Sequence, residues 1–318
     1  MKKNGIEHGF DLIGDIHGQA DKLHRLLDKL GYRREQGTYR HPERRVIFLG
    51  DFIDRGPRQQ GVLDTVMAMV AAGNALSVMG NHEYNALAFN TRHPTRPGTW
   101  LRPRDDKNIK QHLAFLNEYL GTGKAAALDG ALAFFRALPL WLDLGGLRIV
   151  HAAWHPESMQ VLQPLLGPGN TLTADLLVES STPGTPAFQA LEILLKGMEH
   201  TLPDGLTHKD KDGNTRTNVR YWFFRHARGR LRDVIVHPED FDDDILDLEA
   251  SDELLCGYPE SAPPVFVGHY WMKRGANDHP RMLRHNVACL DYSAAKGGDL
   301  VAYRWHGEDR LNNDNFVY

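Results

Sequence analysis

Val46-Ile47-Phe48-Leu49-Gly50-Asp51-Phe52-Ile53-Asp54-Arg55-Gly56-Pro57 is the stretch on which the fold turns. A short apolar run with β-branched and aromatic residues reads as a buried strand, and the glycine-bounded acidic turn behind it ends that strand on chemistry-bearing side chains. The arrangement recurs on either side. Phe10-Asp11-Leu12-Ile13 runs into Gly14-Asp15-Ile16-His17-Gly18, and Leu76-Ser77-Val78-Met79 runs into Gly80-Asn81-His82-Glu83. Further along, Leu147-Arg148-Ile149-Val150 ends on His151, and Val265-Phe266-Val267 ends on Gly268-His269. A strand delivers its last side chain to a fixed place, so these five ends are expected to gather along one sheet edge, where open α/β sheets build their sites.

Between the first three runs the period changes. Residues 19–30 place Leu23, Leu26, Leu27 and Leu30 at helical spacing, and residues 62–70 do so with Val62, Val66, Met69 and Val70. The pattern is β-α-β-α-β, which predicts an α/β fold with parallel strands joined by right-handed crossovers. Residues 91–110, rich in Pro, Arg and Thr, read as an inserted loop giving way to a helix over 107–119. Runs at 140–144 and 147–150 read as a hairpin turned at Gly145-Gly146. Residues 155–264 are more weakly patterned, with a helix over 187–199, a turn at Asp212-Gly213 and a solvated acidic stretch over 239–252. They separate two halves of one site, so a cap-like insertion is expected there, and a smaller insertion at about 91–133, within one domain spanning 1–318. Strands return at 265–267, 286–292 and 300–305.

Composition bounds the function. With 318 residues, 42% hydrophobic and 25% charged, the chain is ordinary for a globular protein, and its net charge of −4 offers nothing to bulk polyanions. Neither stable nucleic-acid binding nor membrane binding is expected, and the oligomeric state stays open. Cys256 and Cys289 lack the paired spacing of a zinc or redox motif, so a reducing, cytoplasmic location is expected.

The residue types at the strand ends suit divalent cations. Asp15 and His17 can share one ion, Asp51 can bridge two, and Asn81, His151 and His269 offer an oxygen/nitrogen set to the second. Two such ions would share a water and lower its pKa, which makes the expected nucleophile a metal-activated water and not a side chain. Arg55 is the expected grip on phosphoryl oxygens, through its planar fork. His82 is the expected proton donor to the leaving oxygen, and Asp54 the carboxylate that holds its ring. The other histidines, among them His24, His41, His93, His112, His200 and His237, lack such a setting and read as surface or packing residues, as does His155 ahead of Pro156.

Taken together, G-D-x-H-G, G-D-x-x-D-R-G, G-N-H-E and two separated histidines resemble the signature set of the calcineurin-like metallophosphoesterases, specifically the phosphoprotein phosphatase branch. The resemblance implies a four-layer α/β/β/α sandwich, two metals (manganese first, with iron or zinc as the other candidates) and hydrolysis of a phosphomonoester or phosphoanhydride. Carried over by position, it implies Asp15, His17 and Asp51 on one metal, Asp51, Asn81, His151 and His269 on the other, and Asn81 beside Arg55 facing the substrate. It also implies a second phosphate-binding arginine, for which Arg220 and Arg228 are the candidates. Trp271 stands where many wider relatives carry histidine. The tail from Ala288-Cys289-Leu290-Asp291-Tyr292 to Tyr303-Arg304-Trp305 is similar to symmetrical diadenosine tetraphosphate hydrolases, whereas Asp54-Arg55-Gly56 and Glu83 follow the Ser/Thr phosphatases. The expected function is therefore a dimetal phosphatase acting on a phosphoprotein or small phosphomonoester. Its alternatives are a symmetrical dinucleoside polyphosphate hydrolase and, from another class, a non-catalytic metal-binding scaffold.

Overall fold

The computed structural model describes residues 9–119, 121, 123–203, 205–209, 213, 215–225, 229–250, 257–273 and 278–318. Strand alternation decides what each face buries. Along β1 (Gly9–Ile13), Phe10 and Leu12 enter one apolar cluster while Ile13 enters another. Along β2 (Arg44–Phe48), Ile47 joins Leu12, and Val46 and Phe48 join Ile13. Both faces are therefore apolar, as strands covered on both sides must be.

With β3 (Ala75–Ser77), β4 (Trp141–Asp143), β5 (Arg148–Val150), β6 (Val265–Val267), β7 (Val287–Cys289), β8 (Ala302–Trp305) and β9 (Phe316–Val317), the strands form two sheets. The five-stranded sheet runs β9-β8-β1-β2-β3 and the four-stranded sheet β7-β6-β5-β4. In the first, β1, β2 and β3 are parallel, with Leu12 opposite Ile47 and Ile47 opposite Leu76. In the second, β6 lies parallel to both neighbours, Phe266 opposite Ala288 and Ile149, and β4 and β5 form the expected hairpin. Leu12, Ile47, Leu49, Ile149, Phe266, Ala288 and Tyr303 form the core between the sheets. Burying each such side chain is worth about 1.5–3 kcal/mol.

Helices cover the outer faces. On the first sheet lie α1 (Ala20–Lys29) and α2 (Gln59–Ala71), the expected crossovers. Then come α3 (Asn81–Asn90), α4 (Asp106–Tyr119) and α5 (Ala125–Arg136). On the second sheet, α6 (Pro156–Leu162), α7 (Ala174–Ser180) and α8 (Pro186–Lys196) pack on one another, and Leu162, Leu176, Leu191 and Leu194 share a core with Val150, Val265 and Val267. The Ala152 N–H donates to the Leu194 carbonyl at 2.9 Å, and the Tyr84 hydroxyl meets Ser180 and Ser181, so these helices are stitched to the strand ends. The architecture is the four-layer α/β/β/α sandwich. Beyond α8, the pair Met198–Thr201 and Asn218–Tyr221 carries Arg220 back toward the sheet edge.

At the opposite side of β1, Asp11 is buried between Tyr32, Arg44 and Arg304, each donating to its carboxylate at 3.0–3.1 Å. Among the described residues no helix is long and apolar enough to cross a membrane.

Candidate metal centre

The five strand ends do meet, and backbone hydrogen bonds lock their order. The Ile16 and His17 N–H groups donate to the Asp51 carbonyl at 3.0 and 2.9 Å, and the Gly268 N–H donates to the His151 carbonyl at 2.8 Å. One expectation about delivery changes. Strand alternation does not aim Asp15 and His17 to one side, because β1 ends at Ile13 and His17 sits in the left-handed region at φ 45°. Asp51, Asp54, Arg55 and His269 are left-handed too, at φ 53°, 68°, 67° and 67°. Such non-glycine conformations cost of order 1–3 kcal/mol each and persist where the surroundings over-determine them.

Asp51 is central. Its Oδ2 lies 3.6 Å from His17 Nε2, 3.4 Å from His151 Nε2 and 3.9 Å from His82 Nε2, while Oδ1 accepts the His82 N–H at 3.0 Å. Two groups of donor atoms result, His17 with Asp51 and His82, and Asp51 with His151 and His269, each within 4.8 Å of one another. Asn81 Oδ1 joins the second group, 3.1 Å from His151 Nε2 and 2.9 Å from His269 Nδ1. Asp15 is buried beside them and accepts the His269 N–H at 3.1 Å.

The donor set fits metal ions. His17 Nδ1 donates to the Ile53 carbonyl at 2.8 Å and His151 Nδ1 to the Leu49 carbonyl at 2.7 Å, which fixes the ring orientation and turns Nε2 inward. His17 Nε2 and His269 Nε2 are buried without any hydrogen-bond partner. A buried polar atom left so is costly unless something else meets it. Burial, then the Arg55 charge, lowers the His17 pKa to about 3, and burial, then Arg220, lowers that of His269, so both rings are neutral and able to ligate. Burial works against charge on His151, but the Asp51 carboxylate outweighs it and raises its pKa; in turn His151 and His82 hold Asp51 low despite its own burial. That exchange is mutual, each group favouring the charged form of the other.

Next to this cluster, His82 Nδ1 lies 2.5 Å from Asp54 Oδ2, and its Nε2 accepts from the Arg55 guanidinium at 3.4 Å. Hydrogen bonds from His112 and His82 prevail over burial and hold Asp54 at about 2. Arg55 is exposed at the mouth. Arg220 donates to Glu199 at 2.8 Å, lies 5.4 Å over the Trp271 ring, and keeps a buried Nε without a partner. Arg228 lies outside the described residues, as do Asp212 and Cys256.

Three participants were given no role in the site by the sequence. Glu83, fully buried, accepts the N–H groups of Asp51 and Phe52 at 2.8 Å and of Gly80 at 3.0 Å, tying the start of α3 to the Asp51 turn. Asp291 accepts the Trp271 N–H at 2.8 Å and raises the pKa of Asp15, which burial raises most. His112, expected to be a packing residue, donates to Asp54 at 2.8 Å. Only Glu83 had a local signal, its place at the third position of a helix.

The model of the calcineurin-like phosphoesterase family matches residues 9–177, just over half of the chain. The asymmetrical bis(5'-nucleosyl)-tetraphosphatase PrpE of Halalkalibacterium halodurans is 49% identical over 74 residues, 23% of this chain and 30% of the relative. PrpE of Bacillus subtilis is 42% identical over 153 residues, 47% of this chain and 59% of the relative, so the chain spans less than two thirds of either. A protein serine/threonine phosphatase from Saccharomyces cerevisiae aligns over 99% of this chain and 80% of its own at 14% identity, with a TM-score of 0.48.

Proposed function

The chain belongs to the calcineurin-like phosphoesterases, and from that premise we propose that it is a two-metal phosphatase whose substrate is a phosphomonoester with a poorly departing oxygen. The observation that carries this reading is the His82–Asp54 pair at 2.5 Å beside the Asp51 cluster. An alkyl or seryl oxygen needs a proton to depart, whereas a nucleotide phosphate leaves without one, so a built proton donor suits the first kind of substrate.

In this proposal Asp15, His17 and Asp51 hold one ion, and Asp51, Asn81, His151 and His269 hold the other. Bound there, divalent cations supply Lewis-acid activation of the attacking water and neutralise charge on the phosphoryl group. The chain does the rest. Arg55, exposed at the mouth and 3.4 Å from His82, binds phosphoryl oxygens through its fork and is released from His82 when it does so. Asp54, ionised at any working pH, keeps the Nδ1 proton of His82 in place and stabilises the ring once Arg55 has turned to the phosphate and Nε2 has taken a proton from solvent, the proton that then passes to the leaving oxygen. Arg220, whose charge reaches His269, is proposed as the second phosphate ligand. Residues 155–264 and 91–133 are proposed as insertions within one domain, the larger acting as a cap over the site.

The PrpE relatives favour a second reading, asymmetrical hydrolysis of a dinucleoside tetraphosphate, which stands beside the symmetrical cut expected from the tail. A substrate panel on manganese-reconstituted protein separates the two. Release of phosphate from phosphopeptides and alkyl phosphates is expected, and efficient conversion of diadenosine tetraphosphate to ATP and AMP without phosphopeptide turnover would replace our first reading by the second.

A further inference from the structure

His82 and His112 share one carboxylate. Asp54 Oδ2 lies 2.5 Å from His82 Nδ1, and Asp54 Oδ1 lies 2.8 Å from His112 Nδ1. An ionised carboxylate only accepts, so each ring donates its Nδ1 proton and carries Nε2 on its far side. His112 is 4% exposed, its ring stacked on Phe115 at 4.8 Å and set edge-on against Phe89 at 5.3 Å. Its Nε2 is buried without a partner, and the ring lines a small cavity with Asp54, His82, Asn85, Arg102 and Gln111. Packing alone would be served as well by phenylalanine, which leaves no orphaned nitrogen.

We infer that His112 is a positioning residue for the proton donor, acting through Asp54. The terminal torsion of an aspartate is soft and two-fold, so a donor fixed on one oxygen sets where the other points. Held between Phe89 and Phe115, His112 clamps Oδ1, and the clamp aims Oδ2 at His82 Nδ1. His82 is thereby kept in the orientation that presents Nε2 to the substrate, whichever proton count the ring carries. The smaller insertion, through α4, thus reaches into the chemistry as a third member of a His–Asp–His relay of hydrogen bonds. His112 touches neither substrate nor metal.

This inference rests on the reading of His82 as proton donor, and the test keeps the two apart. On metal-reconstituted protein with metal content checked by elemental analysis, kcat and KM are measured for an alkyl and an aryl phosphate in His112→Phe, His112→Asn, His82→Ala and His82→Ala/His112→Phe. His112→Phe keeps the ring stack and loses the donor; His112→Asn places an amide N–H near Nδ1. We expect His112→Phe to lower kcat on the alkyl phosphate by about 10- to 100-fold, with less loss on the aryl phosphate and little change in KM. His112→Asn should recover most of that loss, and His112→Phe should add nothing in the His82→Ala background. Equal losses on both substrates, His112→Asn as impaired as His112→Phe, or a full additional loss in the double variant would overturn the positioning role. If His82→Ala alone loses equally on both substrates, the proton-donor reading itself fails and takes the inference with it.

Discussion

Gly80 offers a perturbation whose size can be read from the structure. It stands between β3 and α3 at φ −93°, a conformation open to alanine, so the backbone gives no reason for glycine here. The surroundings do. A Cβ at Gly80 would lie 2.3 Å from Asp51 Oδ1, 2.4 Å from the Asp51 nitrogen and 2.8 Å from Glu83 Oε2. Ordinary contact needs about 3.4 Å or more, so Asp51 or the start of α3 must move by about 1 Å. A backbone nitrogen cannot swing aside as a side-chain tip can. We therefore expect Gly80→Ala to destabilise the protein by about 1–3 kcal/mol, the usual cost of overpacking, and to lower kcat/KM by about 100-fold, the usual cost of an ångström's misplacement in a site. Gly130 in α5 is the control, because nothing lies within 4 Å of a Cβ there. Gly130→Ala should stabilise by up to about 1 kcal/mol. Urea unfolding and phosphate release, run in parallel on both variants, check the pair. A Gly80→Ala protein as active and as stable as wild type would refute the close approach of β3 to the Asp51 turn on which the site geometry depends.

Other expectations follow from single contacts. Glu83→Gln puts a donor where one of three N–H groups now finds an acceptor, and metal affinity, followed by competition with a chelator, should weaken by about 10- to 100-fold; unchanged affinity would mean that Glu83 only caps the helix. Arg55→Ala should cut phosphatase activity while elemental analysis still finds the metal content of wild type, and loss of metal would show its role misassigned. Asp11→Ala strands the guanidinium of Arg44, whose side chain is 10% exposed, and should cost about 3–5 kcal/mol in denaturant unfolding with no effect on metal content. Asp54 is held at about 2 against an ordinary 3.8, so its contribution is fully present above 3.8 and is lost as pH falls through 2. That amounts to about 2 kcal/mol. Acid unfolding of metal-free protein should accordingly be shallower over this window in Asp54→Asn, and identical slopes would contradict the assignment.

The strands and crossovers were open to a local reading because each repeats a short-range rule. The apolar run 46–49, stopped at Gly50, needs no distant residue to be understood as a strand, and it is β2. The leucines spaced through 19–30 likewise gave α1 within one residue at either end. The small hairpin of Arg33–Glu35 with Thr38–Arg40 was missed, since its first strand is charged and exposed throughout and its second is only three residues long, too short to show an alternation. The end of the chain gave β7 and β8, but shorter than their apolar runs, because pairing rather than hydrophobicity decides where a ladder stops. For the site, Asp15, His17, Asp51, Asn81, His82, His151 and His269 were all legible as strand-end residues. His112 was not: it lies in α4, 58 residues from the carboxylate it holds.

What the sequence determined by itself is the order of strands, their parallel run and the residue types at their ends, since alternation, helical period and glycine stops act over a few residues. The tertiary structure alone decided which atoms face each other. It set His17 in a left-handed turn where alternation was expected to aim it, brought Glu83 under the Asp51 turn, and closed His112 onto Asp54. Those contacts join segments that meet only when neighbouring strands pair and helices close over their ends. Their geometry is fixed by burial, which no single stretch of the chain encodes.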